Sequence, residues 1–316
     1  MSKPPNWIWG MMKSIAEEML ILLVLVCSQH LLAAEIQCRP YKKTEQTPVI
    51  DDRFAEGLLW KISRDDGKSG YILGTIHVDD PLILDFPPVV KTSLEQSKQF
   101  VMEVVPDDKD AIKYSDAMLF ADNTRLDRLL PAILYRNAVT ILARYNLAEN
   151  TIARLKPWAA FIIMSYPPGM GSVMDLKLLE QARITNLSVS GLETMDEQIA
   201  VFGDMSMEDQ LRVLVDTLCH YEDTVNDFNK MKSLYLQRDL SGMAAYSNQY
   251  TFEDNSAYEK ILERLIYTRN QRMAVRMDVL LDYGSAFFAV GAMHLPGENG
   301  ILNLLQRRNY RIFRIY

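Results

Sequence analysis

The chain has 316 residues, 48% of them hydrophobic and 24% charged, and a net charge of −7. This is ordinary globular material, long enough for a large buried core in one domain or two. An acidic chain without a dense basic patch excludes a nucleic-acid partner.

The first element is an apolar stretch, Met19 to Ala34, reading MLILLVLVCSQHLLAA. Its strongest part, Met19 to Cys27, is too short to span a bilayer. Lys3 and Lys13 precede it and Ala33 and Ala34 close it, the layout of a signal peptide over residues 1–34 cleaved after Ala34. A periplasmic or secreted location follows. Glu17 and Glu18 stand where a positive region is expected, so an uncleaved N-terminal membrane anchor is the alternative. Cys27 lacks the small preceding residue of a lipoprotein site. The mature chain, residues 35–316, retains Cys38 and Cys219. An oxidising compartment permits a bridge between them, but sequence separation leaves their distance in space open.

After an extended, polar lead-in, Leu58–Ile62 and Tyr71–Ile76 flank an Asp-Gly turn and predict a hairpin. The second strand ends in Gly74-Thr75-Ile76-His77. A loop with Asp79, Asp80 and Pro81, a helix near Val89–Ser97 and a strand over Gln99–Val105 come next. Glu103 is an acid inside that apolar run. A carboxylate there must be paired, protonated or on a metal, unless alternation on an edge strand turns it to solvent. Residues 107–166 are helical in pattern. Pro157 opens a helix whose Ala159–Met164 portion is apolar all round and so buried. Tyr166–Gly171 breaks it, and Asp175 begins the next helix, Leu176–Ala182. A short strand and turn over Asn186–Thr194 carry a second acid, Glu193.

Residues 195–283 are helical and rich in Met, Leu and charge, with no β-type run, predicting a layer or lid over the sheet. Its methionines read as core filling, and His220 reads as structural or exposed. Arg269, Asn270 and Arg272 form a polar cluster on the last helix, either a solvated face or an inward-facing anion clamp. Ala286–Val290 then forms a strand ending in Gly291-Ala292-Met293-His294, followed by a loop, a helix over Ile301–Arg308 and a strand over Arg311–Tyr316.

Strand, Gly-x-x-His, loop, helix and strand therefore occur twice. The predicted fold is α/β: two such units forming a central mixed sheet, with a large helical insertion at about 107–283 between them. Each His lies at a strand end, where open α/β sheets hold their ligands. The ordinary reading is two core histidines. The sharper one brings His77, His294 and one of the two acids, Glu103 or Glu193, together on a divalent cation with an open position for water. The other acid could act as general base, and an Arg could stabilise developing negative charge on the substrate. The chain has no His-Glu-x-x-His, Gly-x-Ser-x-Gly, Walker or dinucleotide motif.

Gly74-Thr75-Ile76-His77, Met102-Glu103, Gly191-Leu192-Glu193-Thr194 with Gln198, Arg269-Asn270 and Val290-Gly291-Ala292-Met293-His294-Leu295-Pro296-Gly297 occur in that order. Together they resemble the TraB/PrgY/GumN family from about Gly57 to the C-terminus. That family belongs with the TIKI ectodomains, membrane-tethered metal-dependent peptidases acting on Wnt proteins, and is related to ChaN-like haem-binding proteins. The resemblance implies metal or catalytic roles for His77, Glu103 and His294, and supporting roles for Glu193, Arg269 and Asn270. Thr268 stands where the family carries Glu before Arg-Asn. The expected function is a metal-dependent hydrolase, most readily a peptidase with a peptide or protein substrate and a Zn, Mn or Co cofactor. The alternative is a non-catalytic peptide-, signal- or haem-binding protein.

Overall fold

The computed structural model describes residues 37–43 and 52–316. The expected leader, residues 1–34, lies outside them. Among the described residues no helix is long and apolar enough to cross a membrane.

The strands in chain order are Lys42–Lys43 (β1), Leu59–Ser63 (β2), Ser69–Thr75 (β3), Gln99–Met102 (β4), Ser188–Gly191 (β5), Tyr250–Thr251 (β6), Ala286–Gly291 (β7) and Arg311–Arg314 (β8). Six of them form one sheet in the order β5-β4-β7-β3-β2-β8. The strands β5, β4, β7 and β3 are parallel to one another. The hairpin is as predicted: β2 runs antiparallel to β3, and its turn uses Gly67 at φ +92°, a conformation that suits glycine. The last strand, β8, pairs antiparallel with the outer side of β2.

Composition explains which strands lie inside. Every residue of β4 is buried, as is β7 from Ala286 to Val290, as continuous apolar runs require in a parallel sheet covered on both faces. Leu178 and Ala182, Met273 and Met277, and Leu302 and Leu305 close over the sheet in one core. A second core, containing Leu126, Leu142, Trp158 and Leu214, lies within the helical region. That region therefore has its own apolar interior and is more than a lid. Met205, Met243, Met273 and Met277 are buried, as core filling requires.

Three expectations change. Glu103 is neither within a strand nor on an edge: β4 stops at Met102 and lies between β5 and β7. The segment 195–283 does contain a strand, because Tyr250–Thr251 pairs with Lys42–Lys43. Its partner is an N-terminal arm far away in sequence, so no local pattern marks it. The two Gly-x-x-His units are also not equivalent in the sheet. In the first, β7 separates β3 from β4, whereas in the second the chain leaves β7 and returns at the far edge as β8.

The Cys38–Cys219 disulfide ties this arm to the helical region, with Cα atoms 5.6 Å apart. His220 is structural: its Nε2 lies 2.8 Å from the Arg39 carbonyl and its ring packs edge-on to Tyr41.

Candidate active site

The parallel arrangement brings the C-terminal ends of β3, β4, β5 and β7 to one edge of the sheet, and each strand delivers a polar residue there. The β4–β5 pairing continues beyond the strands through Leu192 N to Met102 O (2.8 Å) and Glu193 N to Glu103 O (2.7 Å). The two acids are thereby fixed side by side.

Gly74 shows why the two histidine motifs meet. A Cβ there would lie 2.8 Å from Leu295 Cδ1 and 3.1 Å from Ala292 Cα. The missing side chain is the space into which the turn of the second motif packs. That turn, Ala292–His294, is 3-10 helical and buries His294.

The helix Thr268–Leu280 supplies the cation. Arg269 is 5% exposed and Asn270 is fully buried, which decides for the inward-facing reading of this cluster. The Arg269 guanidinium donates to Glu193 Oε2 through Nε (2.9 Å) and Nη2 (2.7 Å), and to Glu103 Oε2 through Nη2 (2.5 Å). Its Nη1 donates to the Leu265 carbonyl at 3.0 Å and lies 3.2 Å from His294 Nε2. Arg272 pairs with the other oxygen of Glu193. Two glutamates and two arginines thus share one largely buried network. Thr268 turns away and donates to Glu263 Oε1 at 2.9 Å.

Both imidazoles are oriented from behind. His294 Nδ1 lies 2.6 Å from Asn270 Oδ1, an oxygen that can only accept, so Nδ1 carries the proton and Nε2 presents its lone pair. Asn270 is held in turn by its Nδ2 bond to the Asn299 carbonyl at 2.8 Å. His77 Nδ1 lies 2.7 Å from Asp175 Oδ2, whose other oxygen accepts from Thr75 Oγ1 at 2.7 Å. Asp175 is 6% exposed, whereas the His77 side chain is 44% exposed and faces the cleft, with the Tyr166 ring edge-on at 6.3 Å.

The environments push the two histidines apart. Burial works against the charged form of His77, but Asp175 outweighs it and the pKa rises to about 9. Burial also works against charge on His294; the nearby glutamates only partly compensate, and its pKa falls to about 4. Burial opposes ionisation of Glu103 too. The His294 and Arg269 groups and the Gly291 N–H, which donates to Oε1 at 2.7 Å, overcome it and hold the carboxyl at about 2. Burial raises the Tyr166 hydroxyl to about 12. At neutral pH the cleft therefore contains a protonated His77, a neutral His294 and an ionised Glu103.

Glu103, Glu193, Arg269, Asn270 and His294 form one connected group. His77 stands across the cleft on its own partner, Asp175. His294 Nε2 is 3.7 Å from Glu103 Oε1. Among the described residues no three His, Cys, Asp or Glu side chains are grouped as a metal-ion cluster. Sequence reasoning missed Asp175, reading it as a helix-opening acid. The helix Met174–Ile184 does begin there, but its N-cap Val173 makes no side-chain cap and Asp175 turns to His77. The sequence carried no signal for this role, because Ser172-Val173-Met174-Asp175 reads as an ordinary capping pattern at a helix start.

A sequence model of the TraB/PrgY/gumN family matches residues 58–314. The chain is 23% identical over 321 aligned residues to metalloprotease TIKI2 of Danio rerio, covering 83% of this chain and 62% of that protein. It is 25% identical to metalloprotease TIKI1 of Xenopus tropicalis, covering 80% and 60%, and 24% identical to metalloprotease TIKI1 of Homo sapiens, covering 80% and 61%. The chain thus spans about three fifths of the length of these relatives. No solved structure matches it.

Proposed function

The chain belongs to the TraB/PrgY/gumN family, and from that premise we propose that it is a hydrolase of peptide bonds, metal-dependent as the names of its relatives suggest. The observation that carries this reading is the pair of strand-end histidines, each oriented through its Nδ1, His77 by Asp175 and His294 by Asn270. A carboxylate or carbonyl behind the imidazole is the arrangement that orients a metal-ligating histidine.

The donor chemistry fits a divalent cation. His77, His294 and Glu103 would hold it through two imidazole nitrogens and a carboxylate. When bound it would supply Lewis-acid polarisation of a substrate carbonyl. Arg269 occupies the Nε2 side of His294 at 3.2 Å, so cation and guanidinium compete for that atom. His77 must lose its proton to act as a ligand, so metal affinity rises with pH.

The residues of the chain do the rest. Asp175 and Asn270 fix the ring orientations. Arg269 directs its five N–H groups to Glu193, Glu103, the Leu265 carbonyl and His294, so its role is to hold these groups in place. Glu103, ionised at neutral pH, is suited to holding a cation or orienting a water, and less to taking up a proton. A secreted or periplasmic location belongs to the same reading, supported by the Cys38–Cys219 disulfide, which an oxidising compartment maintains.

The test is elemental analysis of the intact chain after incubation with Zn²⁺, Mn²⁺ or Co²⁺, together with a peptide-cleavage screen. His77→Ala/His294→Ala is the control. Stoichiometric metal and cleavage in the parent, both lost in a folded double mutant, are expected. A double mutant that cleaves as well as the parent would overturn the reading. The Arg269–His294 contact favours one second reading, capture of a peptide by the same cleft without turnover. It predicts binding that survives chelation and no cleaved fragments in a mass spectrum.

A further inference from the structure

Beside the candidate active site the helical region and the N-terminal arm form a solvent-open cavity of about 530 Å³. Its walls include the rings of Tyr41, Tyr250, Phe252 and Tyr258 and the carboxylates of Asp223 and Asp227. The rings pack on one another: Tyr41 lies edge-on to Tyr250 at 4.7 Å, and Phe252 stacks on Tyr258 at 5.2 Å.

We infer that this cavity is a subsite for a cationic side chain, the ammonium of lysine or the guanidinium of arginine in a polypeptide substrate. Aromatic faces attract cations through their quadrupole. These rings already hold cations of the chain itself. Arg39 lies 4.6 Å over Phe252, and Lys43 Nζ lies 5.3 Å over Tyr250.

The carboxylates are set to receive a further donor. Tyr246 and Tyr250 both donate to the same oxygen of Asp227, Oδ1, at 2.6 and 3.0 Å. Tyr41 donates to Oδ2 of Asp223 at 2.8 Å. Each carboxylate is thus oriented through one oxygen, and among the described residues no hydrogen bond reaches the other. Asp216, also in the wall, is already neutralised by Arg39. The charge left for a ligand is negative.

The cavity shares its wall with the candidate active site. Met293, next to His294, lines it, and so does Leu265, whose carbonyl accepts from Arg269. Leu265 lies in a π-helical stretch, Glu263–Tyr267, an irregularity found often at functional sites. Calling the ligand a substrate side chain rests on the hydrolase reading; the affinity of the cavity for a cation does not.

The experiment is an NMR titration of the intact, oxidised chain with Nα-acetyl-lysine methylamide, Nα-acetyl-arginine methylamide and the norleucine analogue. The basic compounds should shift Tyr250 and bind at least tenfold more tightly than norleucine. Asp227→Asn keeps an oxygen for the tyrosines while removing the charge, and should weaken binding at least fivefold. Asp223→Asn is the second variant should the first fail to fold. Equal binding of norleucine, or unchanged binding in a folded variant, overturns the proposal. In a cleavage assay Asp227→Asn should raise KM for Lys- or Arg-containing peptides and leave kcat unaltered. Selective titration without cleavage keeps the cavity assignment and removes the hydrolase reading. Cleavage without selective titration does the reverse.

Discussion

At the Arg269 guanidinium, the carboxylates of Glu103 and Glu193 and a neutral imidazole meet one cation that is itself 5% exposed, with Arg272 pairing only with Glu193. Removing one partner of such a group leaves the others charged in a poorly solvated place, at a cost of about 3–5 kcal/mol. Arg269→Ala should lower the unfolding free energy obtained from urea titration by about that amount. Arg269→Lys should recover only part of it, because an ammonium cannot reproduce the fork that bridges Glu103 and Glu193. Across the cleft, Asp175 raises His77 to about 9. A raised histidine adds stability that is complete below its unfolded value near 6.5 and is lost as pH rises through 9. In Asp175→Asn the His77 ring should titrate near or below 6.5, followed by NMR in chelator-treated protein. The stability change between pH 6.5 and 9 should shrink with it. An unaltered His77 titration would show that Asp175 does not set its charge.

The elements meet where side chains are absent. The close approach of Ala292 and Leu295 to Gly74 lets the β7 turn lie against the end of β3. Gly74→Ala should destabilise the fold by about 1–3 kcal/mol, as overpacking does, and displace the turn that carries His294. Gly291 is the comparison. A Cβ there meets Glu103 Oε1 at 3.4 Å and His294 Cδ2 at 3.5 Å, ordinary contact distances. Gly291→Ala should therefore be the milder change by denaturant midpoint, although it touches the site more directly. A reversed order would mean that the approach at Gly74 is not what joins the two motifs.

Over the whole molecule, one covalent tie joins the arm containing β1 to the helical region across 181 residues of sequence. A bridge closing so long a loop limits the unfolded chain strongly, by about 2–5 kcal/mol in practice. Cys219→Ser, or reduction of the parent, should lower the thermal midpoint accordingly and release Tyr41 from the cavity wall. A reduced parent that melts with the oxidised protein would show that β1–β6 pairing and the Arg39–Asp216 ion pair hold the arm unaided.

The sequence by itself determined the α/β class, the hairpin, and the placing of His77, Glu193 and His294 just past strand ends, whereas it ran the strand before Glu103 on to Val105. Apolar runs and glycines are local signals, and they record where a strand stops and which residues come after it. In a largely parallel sheet those ends then lie on one edge. Only the tertiary structure decided the partners. Asp175 turns to His77 from 98 residues away and Arg269 reaches Glu103 from 166 away. Periodicity reports which face of an element is buried, but not the group that lies opposite. The solvated-face and anion-clamp readings of Arg269 therefore looked alike until the sheet edge was seen beneath the helix. The β1–β6 pair and the aromatic cavity have the same origin. Both are formed by an N-terminal arm meeting distant helices, and no window of sequence contains both sides of that contact.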